Sequence, residues 1–306
     1  MVFSITGANS FIGRTMVRLL ASNNGNEVVA VVRRGKKTEE LFSQYKNVNV
    51  VECDLEDYGL LGTLAGSGDV FINYAWNGTR GETRMDYELQ KNNYNSSVAA
   101  ARSMIDNGYT VLVSAGSQAE YGQIDGEITE ETTPEPNTAY GKYKLQTFDV
   151  LSDIANNSKI SFYEPRYFSL YGPGDYDKTL IMSCIRKMMH NDDVILNPCT
   201  QLWDYLYVDD ACYALIGLIE NKAPSGAYNF ASGCSKPLRE YVLEIKQSLG
   251  SNSRIQFDDP DGYKGLIINL QPKIDKLLNA ATGWKPQTSF DEGIKAILKE
   301  ISGTAV

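Results

Sequence analysis

Histidine is almost missing from this chain. Its 306 residues include one, His190, in the stretch MSCIRKMMHNDD, which has the pattern of an amphipathic helix end. A basic residue in a last helical turn is a partner for the helix dipole, so His190 is read as structural. Ser-His-Asp catalysis and histidine-ligated metal centres are thereby set aside, and no metal site is expected. If the chain is a catalyst, tyrosine, lysine, serine or carboxylates must move its protons. Cysteine is scarce and scattered. Cys53, Cys184, Cys199, Cys212 and Cys234 show no CxxC spacing, which excludes a disulfide framework and a zinc ribbon. No apolar run approaches the roughly 18 residues of a membrane span. The start, MVFSITG, is too quickly interrupted by glycine for a signal peptide. A cytoplasmic protein without a membrane partner is expected. Positive charge is also in deficit: 29 Lys and Arg against 38 Asp and Glu give a net charge of −9. A broad acidic surface repels polynucleotides, so no nucleic-acid partner is expected.

What is present is alternation. VFSIT precedes a helical pattern from about Phe11 to Ser22. EVVAVV, NVNVVECD, DVFINYAW, YTVLVS and ISFYEPRYF follow at similar pitch, with helical stretches between. These strands are continuous apolar runs, as in a parallel sheet covered on both faces. The fold expected is α/β: a Rossmann-like doubly wound parallel sheet with a smaller, mostly helical C-terminal substrate domain. The sheet domain is placed at 1–168 plus about 205–232, the latter including a helix VDDACYALIGLIE. The substrate domain takes about 169–204 plus 233–306.

Three places carry chemistry. TGANSFIG, Thr6 to Gly13, lies between the first strand and first helix, where a glycine turn lets the backbone approach a pyrophosphate. Ser10 stands where a middle glycine is usual, and a purely structural turn is the alternative. The second strand ends in VVRRGKK. An NAD site commonly has a carboxylate there; Arg33, Arg34, Lys36 and Lys37 suit the 2′-phosphate of NADP instead. A solvated basic loop is the alternative. Asp54-Leu55 closes the third strand, either to hydrogen-bond an adenine or to cap the next helix. Finally, Tyr140 and Lys144 in AYGKYK share a helix face. A nearby ammonium favours the phenolate of a group whose free pKa is about 10. Ser117, in the preceding turn, is placed to hydrogen-bond a substrate oxygen.

TGANSFIG, Ser117, Tyr140-x-x-x-Lys144, RYFSLYGPGD and WDYLYVDD in this order resemble the extended short-chain dehydrogenase/reductase family. More narrowly, they resemble its nucleotide-sugar epimerase, dehydratase and reductase branch, along almost the whole chain. The resemblance implies Tyr140 as general acid/base, Lys144 as ribose ligand and Ser117 as orienting hydroxyl. Gly7, Asn9, Ser10, Phe11, Ile12 and Gly13 would meet the pyrophosphate. Ala75, Trp76 and Tyr167 would contact the cofactor, with Arg33, Arg34, Asp54 and Leu55 at its adenosine end. Substrate contacts would come from Ser117, Gln118, Tyr140, Ser169 and Trp203. Gln118 and Ala119 stand where 4,6-dehydratases have an acid pair, which argues against dehydration. Trp203 and Ser169 replace the family's diphosphate arginine and an asparagine, leaving Arg166, Arg186 and Lys187 as substitutes. The activity implied is an NADPH-dependent 4-ketoreductase of a 4-keto-6-deoxy sugar nucleotide. The rivals are an NAD-dependent 4-epimerase of UDP-sugars and a non-catalytic NADP-binding regulator. NADP(H) is the expected cofactor, with NAD(H) second. A homodimer through the helices near 92–107 and 140–156 is expected.

Overall fold

The computed structural model describes residues 1–35, 39–258 and 269–303. Lys36 and Lys37 therefore lie outside the described residues. An eight-stranded sheet organises the chain. Its strands are β1 (Val2–Thr6), β2 (Glu27–Val32), β3 (Val48–Glu52), β4 (Val70–Asn73), β5 (Val111–Ser114), β6 (Gly116–Ser117), β7 (Ser161–Tyr167) and β8 (Gly226–Phe230). The order is β8-β7-β5-β4-β1-β2-β3, with β6 alongside β7. Every pairing in it is parallel. This is the doubly wound arrangement expected from strand–helix alternation.

The strands are apolar throughout because both faces are covered. Successive side chains point to opposite faces. Val28, Ala30 and Val32 join one core with α1 (Phe11–Ala21) and the helix Val208–Glu220. Val29 and Val31 join a second core with α2 (Tyr87–Asp106) and α3 (Ala139–Ser158). A third core unites the helices Leu180–Met189, Leu238–Leu249 and Phe290–Ile301 around Tyr171, Ile185 and Ile294. The C-terminal part is thus mostly helical, with short two-stranded pairings such as Ser169–Tyr171 with Tyr205–Tyr207.

His190 is exposed and caps the helix Leu180–Met189, its backbone N–H donating to Lys187 O at 3.1 Å. All five cysteines are free, and Cys234 alone among them is exposed. No described helix is long and apolar enough to cross a membrane.

The topology also fixes where a ligand fits. The chain leaves β1 toward β2 on one side, whereas β4 leads to β5 on the other. Between the carboxyl ends of β1 and β4 the strand order reverses and a crevice opens.

Candidate active site

Gly7 begins the crevice with φ +63°. A Cβ there would stand 3.0 Å from the backbone of Tyr74 and Ala75. The turn therefore needs glycine for both conformation and space. Ser10 caps α1, its Oγ accepting the Gly13 N–H at 3.1 Å, while its own N–H donates to Gly7 O at 2.8 Å. Serine stands where glycine is usual because it serves as the helix cap. A Cβ on Gly13 would meet Gly7 O at 2.1 Å. The first turn of α1 is thus pressed onto the loop, with the helix's positive end facing the crevice.

The crevice, about 130 Å³, is lined by Gly7, Asn9, Ser10, Arg33, Asp54, Leu55, Ala75, Trp76 and Asn77. Most of the expected cofactor residues are therefore together. Phe11 is not; it lines a separate cleft of about 750 Å³ with Tyr45, Tyr207 and Lys299. That larger cleft holds none of Ser117, Tyr140 and Lys144. Ile12 packs against the core. Arg33 reaches across the crevice mouth and donates to Asn77 Oδ1 at 2.9 Å. Arg34 is drawn into ion pairs with Asp54 and Asp57. The two arginines read as one phosphate clamp are thus separated. Asp54 makes no side-chain cap to the next helix; its carboxylate accepts the Arg34 N–H at 3.2 Å.

Tyr140 sits in the first turn of α3, capped by Thr138 Oγ1 accepting the Gly141 N–H at 3.0 Å. A Cβ on Gly141 would lie 2.2 Å from Ala119 O. That close approach seats the start of α3 on the Ser117 turn and brings the Tyr140 phenol to the Ser117 hydroxyl. Burial raises the Tyr140 pKa; the hydrogen bond with Ser117 and the charges of Arg84 and Arg80 pull it back. This corrects the expectation that Lys144 is the cation beside the phenol. Lys144 Nζ lies 5.9 Å from the Tyr140 ring centre, donates to Ala115 O at 2.6 Å, and sits 3.7 Å over the Trp76 ring. The nearer cation is Arg84, its guanidinium 4.9 Å over the Tyr140 ring. Lys144 itself is pushed down to about 8 by burial, with Glu120 and Glu164 opposing. The Trp76 ring meets Tyr140 edge-on at 6.2 Å, and its Nε1 donates to Gln90 Oε1 at 2.6 Å.

Three buried side-chain polar atoms among the described residues lack a hydrogen bond: Arg84 Nε, Gln118 Oε1 and Glu120 Oε2. The last still faces Arg166 Nε at 2.8 Å. The other two are a donor beside Tyr140 and an acceptor beside Ser117.

Ser169 and Trp203 form a pair of their own, Nε1 donating to the serine Oγ at 2.9 Å. Tyr167 hydroxyl lies 3.3 Å from that of Tyr74. Arg166 cannot replace a diphosphate arginine: it is 3 % exposed and held by Glu120 and Glu164. Arg186 is paired with Asp177 at the surface, and Lys187 is exposed in the same helical turn. Arg80, Arg84 and Glu120 were missed in the sequence. The first two belong to a short 3-10 helix after β4, Gly81–Met85, with Arg80 as its cap, too short to show a period. Glu120 had a signal: Ser-Gln-Ala-Glu at 117–120 is a capping box, and both of its hydrogen bonds form.

Residues 3–231 match the NAD dependent epimerase/dehydratase family. The chain is 24 % identical over 306 residues to the low-salt glycan biosynthesis protein Agl12 of Haloferax volcanii, covering 95 % of this chain and 96 % of that one. It is 25 % identical over 233 residues to dTDP-4-dehydro-6-deoxyglucose reductase of Escherichia coli, 72 % of each. Its fold superimposes on UDP-glucose 4-epimerase of Thermotoga maritima with TM-score 0.86 at 20 % identity, covering 99 % of both chains. With UDP-glucuronic acid 4-epimerase of Bacillus cereus the score is 0.84 at 19 % identity, covering 100 % and 97 %. By sequence and by fold, this chain belongs to the NAD dependent epimerase/dehydratase family, the nucleotide-sugar branch of the extended short-chain dehydrogenases/reductases, and is an enzyme of the oxidoreductase/epimerase type.

Proposed function

We propose that the chain is an NADPH-dependent reductase acting on the C4 carbonyl of a 4-keto-6-deoxy sugar nucleotide. The observation that carries the NADPH preference is at the end of β2. Val32 is followed not by a carboxylate but by Arg33, whose guanidinium borders the crevice. A guanidinium fork suits a 2′-phosphate; a carboxylate would suit free ribose hydroxyls. The Cβ-free turn at Gly7 and Gly13 fits a pyrophosphate at the head of α1. Asp54 and Leu55 would border the adenine, and Ala75, Trp76 and Tyr167 the nicotinamide half.

When bound, the cofactor supplies the hydride. The rest is done by this chain's side chains. Ser117 Oγ and Tyr140 Oη converge on one substrate oxygen. Burial keeps the phenol protonated, so Tyr140 is loaded to donate as charge develops on that oxygen. Lys144 would hold the ribose hydroxyls, and Arg84 and Gln118 would offer their unused donor and acceptor to the sugar. Gln118 and Ala119 supply no acid/base pair for water elimination. Ser169 and Trp203 would border the sugar.

The test is direct. Any cofactor released from the purified protein is identified, and the protein is titrated with NADPH and NADH. Turnover of dTDP-4-dehydro-6-deoxyglucose is then followed by NADPH oxidation. Tight, exchangeable NADPH and turnover are expected. NAD retained through purification, with interconversion of UDP-sugar C4 epimers, would overturn the reductase in favour of a 4-epimerase.

A further inference from the structure

Beneath the catalytic residues lies a charge cluster that the chemistry above does not use. Glu120, Glu164 and Arg166 are 0 %, 1 % and 3 % exposed. Arg166 Nε lies 2.8 Å from Glu120 Oε2 and 3.0 Å from Glu164 Oε2. Glu120 Oε1 accepts the Ser117 backbone N–H at 2.6 Å. A Cβ on Gly116 would stand 2.7 Å from Glu164 and 2.9 Å from Glu120. The strand carrying Ser117 therefore rests on both carboxylates. Stability alone does not account for such a cluster, since a buried ion pair is often no better than packed apolar side chains.

We propose that Glu120 is a positioning residue: it orients Ser117 through the backbone N–H and supplies the fixed negative charge against which Lys144 keeps its ammonium form. The inference rests on the reading of Ser117, Tyr140 and Lys144 as the reacting group. Glu120 faces Arg166, Glu164 and Lys144, along with the phenols of Tyr121 and Tyr140. Lys144 faces Glu120 and Glu164, the Trp76 ring and the Ala115 carbonyl. Two adjacent carboxylates do not both ionise in a buried site. Glu164 is pushed well above the carboxylate range, by burial and then by the charge of Glu120. Burial raises Glu120 too, but Arg166 and the Ser117 N–H pull it back, so Glu120 is the better held anion of the two. Arg166 balances that anion. Of the groups facing Lys144, Glu120 ranks first in opposing the burial that strips its proton.

The sign follows. Lys144 loses its proton as pH rises through about 8, and NADPH affinity is expected to fall there. Glu120→Gln keeps the side-chain shape and an acceptor for Ser117 but removes the charge. The midpoint of NADPH affinity against pH should then move down by about one unit. Glu164→Gln, which leaves the Ser117 contact untouched and removes the weaker of the two opposing groups, should move the midpoint less. If Glu120→Gln does not fold, the paired change Glu120→Met with Arg166→Met removes both charges and should shift the midpoint in the same direction. A folded variant of either kind with the wild-type midpoint overturns the proposal, as does a shift in Glu164→Gln equal to that in Glu120→Gln. Failure of the wild-type protein to bind NADPH or NADH at any pH would instead overturn the dinucleotide reading.

Discussion

The close approach of α1 to the Gly7 turn gives the sharpest test. Gly13 occupies the first turn of α1, where alanine is on intrinsic grounds the better helix former by about 1 kcal/mol. Gly13→Ala should therefore stabilise the protein if only propensity mattered. The structure says otherwise. The new methyl would stand 2.1 Å from the Gly7 carbonyl oxygen and 2.9 Å from its carbon. Real Cβ atoms essentially never approach below 3.0 Å, and the obstacle is backbone rather than a movable side chain. The helix start and the Gly7 turn must separate by about 1 Å, and overpacking of this kind costs about 1–3 kcal/mol. With the obstacle rigid, the upper end applies and propensity returns only part of it. A net loss of about 2 kcal/mol is expected, a fall in Tm of about 4 °C in a chain of this size. The displaced turn is also the proposed pyrophosphate cradle, so NADPH affinity should drop at least about tenfold, or about 1.4 kcal/mol. Thermal unfolding and NADPH fluorescence titration measure the two effects. A variant with raised Tm and unchanged affinity would refute the close approach and its proposed role.

Other perturbations separate the proposed roles. Tyr140→Phe removes the donor but leaves the ring against Trp76, so kcat should fall by about 10²–10⁴ with little change in NADPH affinity. Arg33→Ala should reduce the preference for NADPH over NADH by about tenfold or more. Arg34→Ala should alter it less, because that guanidinium is committed to Asp54 and Asp57; equal effects in paired titrations would refute the distinction. Arg84→Gln removes a cation that pulls the Tyr140 pKa down. The phenol should then titrate at higher pH, measured by ultraviolet difference absorbance against a Tyr140→Phe blank, and KM for the sugar nucleotide should rise.

The sheet and its helices were legible because their signal is periodic. Val208–Glu220 occupies the expected span, and β2 ends at Val32, within the expected VVRRGKK stretch. The crevice was legible because its residues are contiguous with strand ends. Less legible were contacts made by backbone atoms. Nothing in AYGKYK announces that Lys144 is held by the Ala115 carbonyl rather than placed beside Tyr140. Arg166, read as a candidate substitute for the diphosphate arginine, is instead buried against Glu120 and Glu164. Glu164 and Arg166 are two apart in a strand and so share a face, a pattern that could have suggested a buried pair within the apolar run ISFYEPRYF. Trp203 bonding Ser169 brings together positions 34 apart in the chain, a pairing no local pattern contains.

The outermost strand of the sheet has a consequence for synthesis. β8 is paired with β7, yet about 60 residues of chain separate them. At about 5–20 residues per second, a ribosome needs several seconds between releasing the two. For that interval β7, five of whose seven residues are buried in the finished fold, has a bare hydrogen-bonding edge, open to pairing with another nascent chain. The rate of translation across residues 168–225 therefore bears on the yield of folded enzyme.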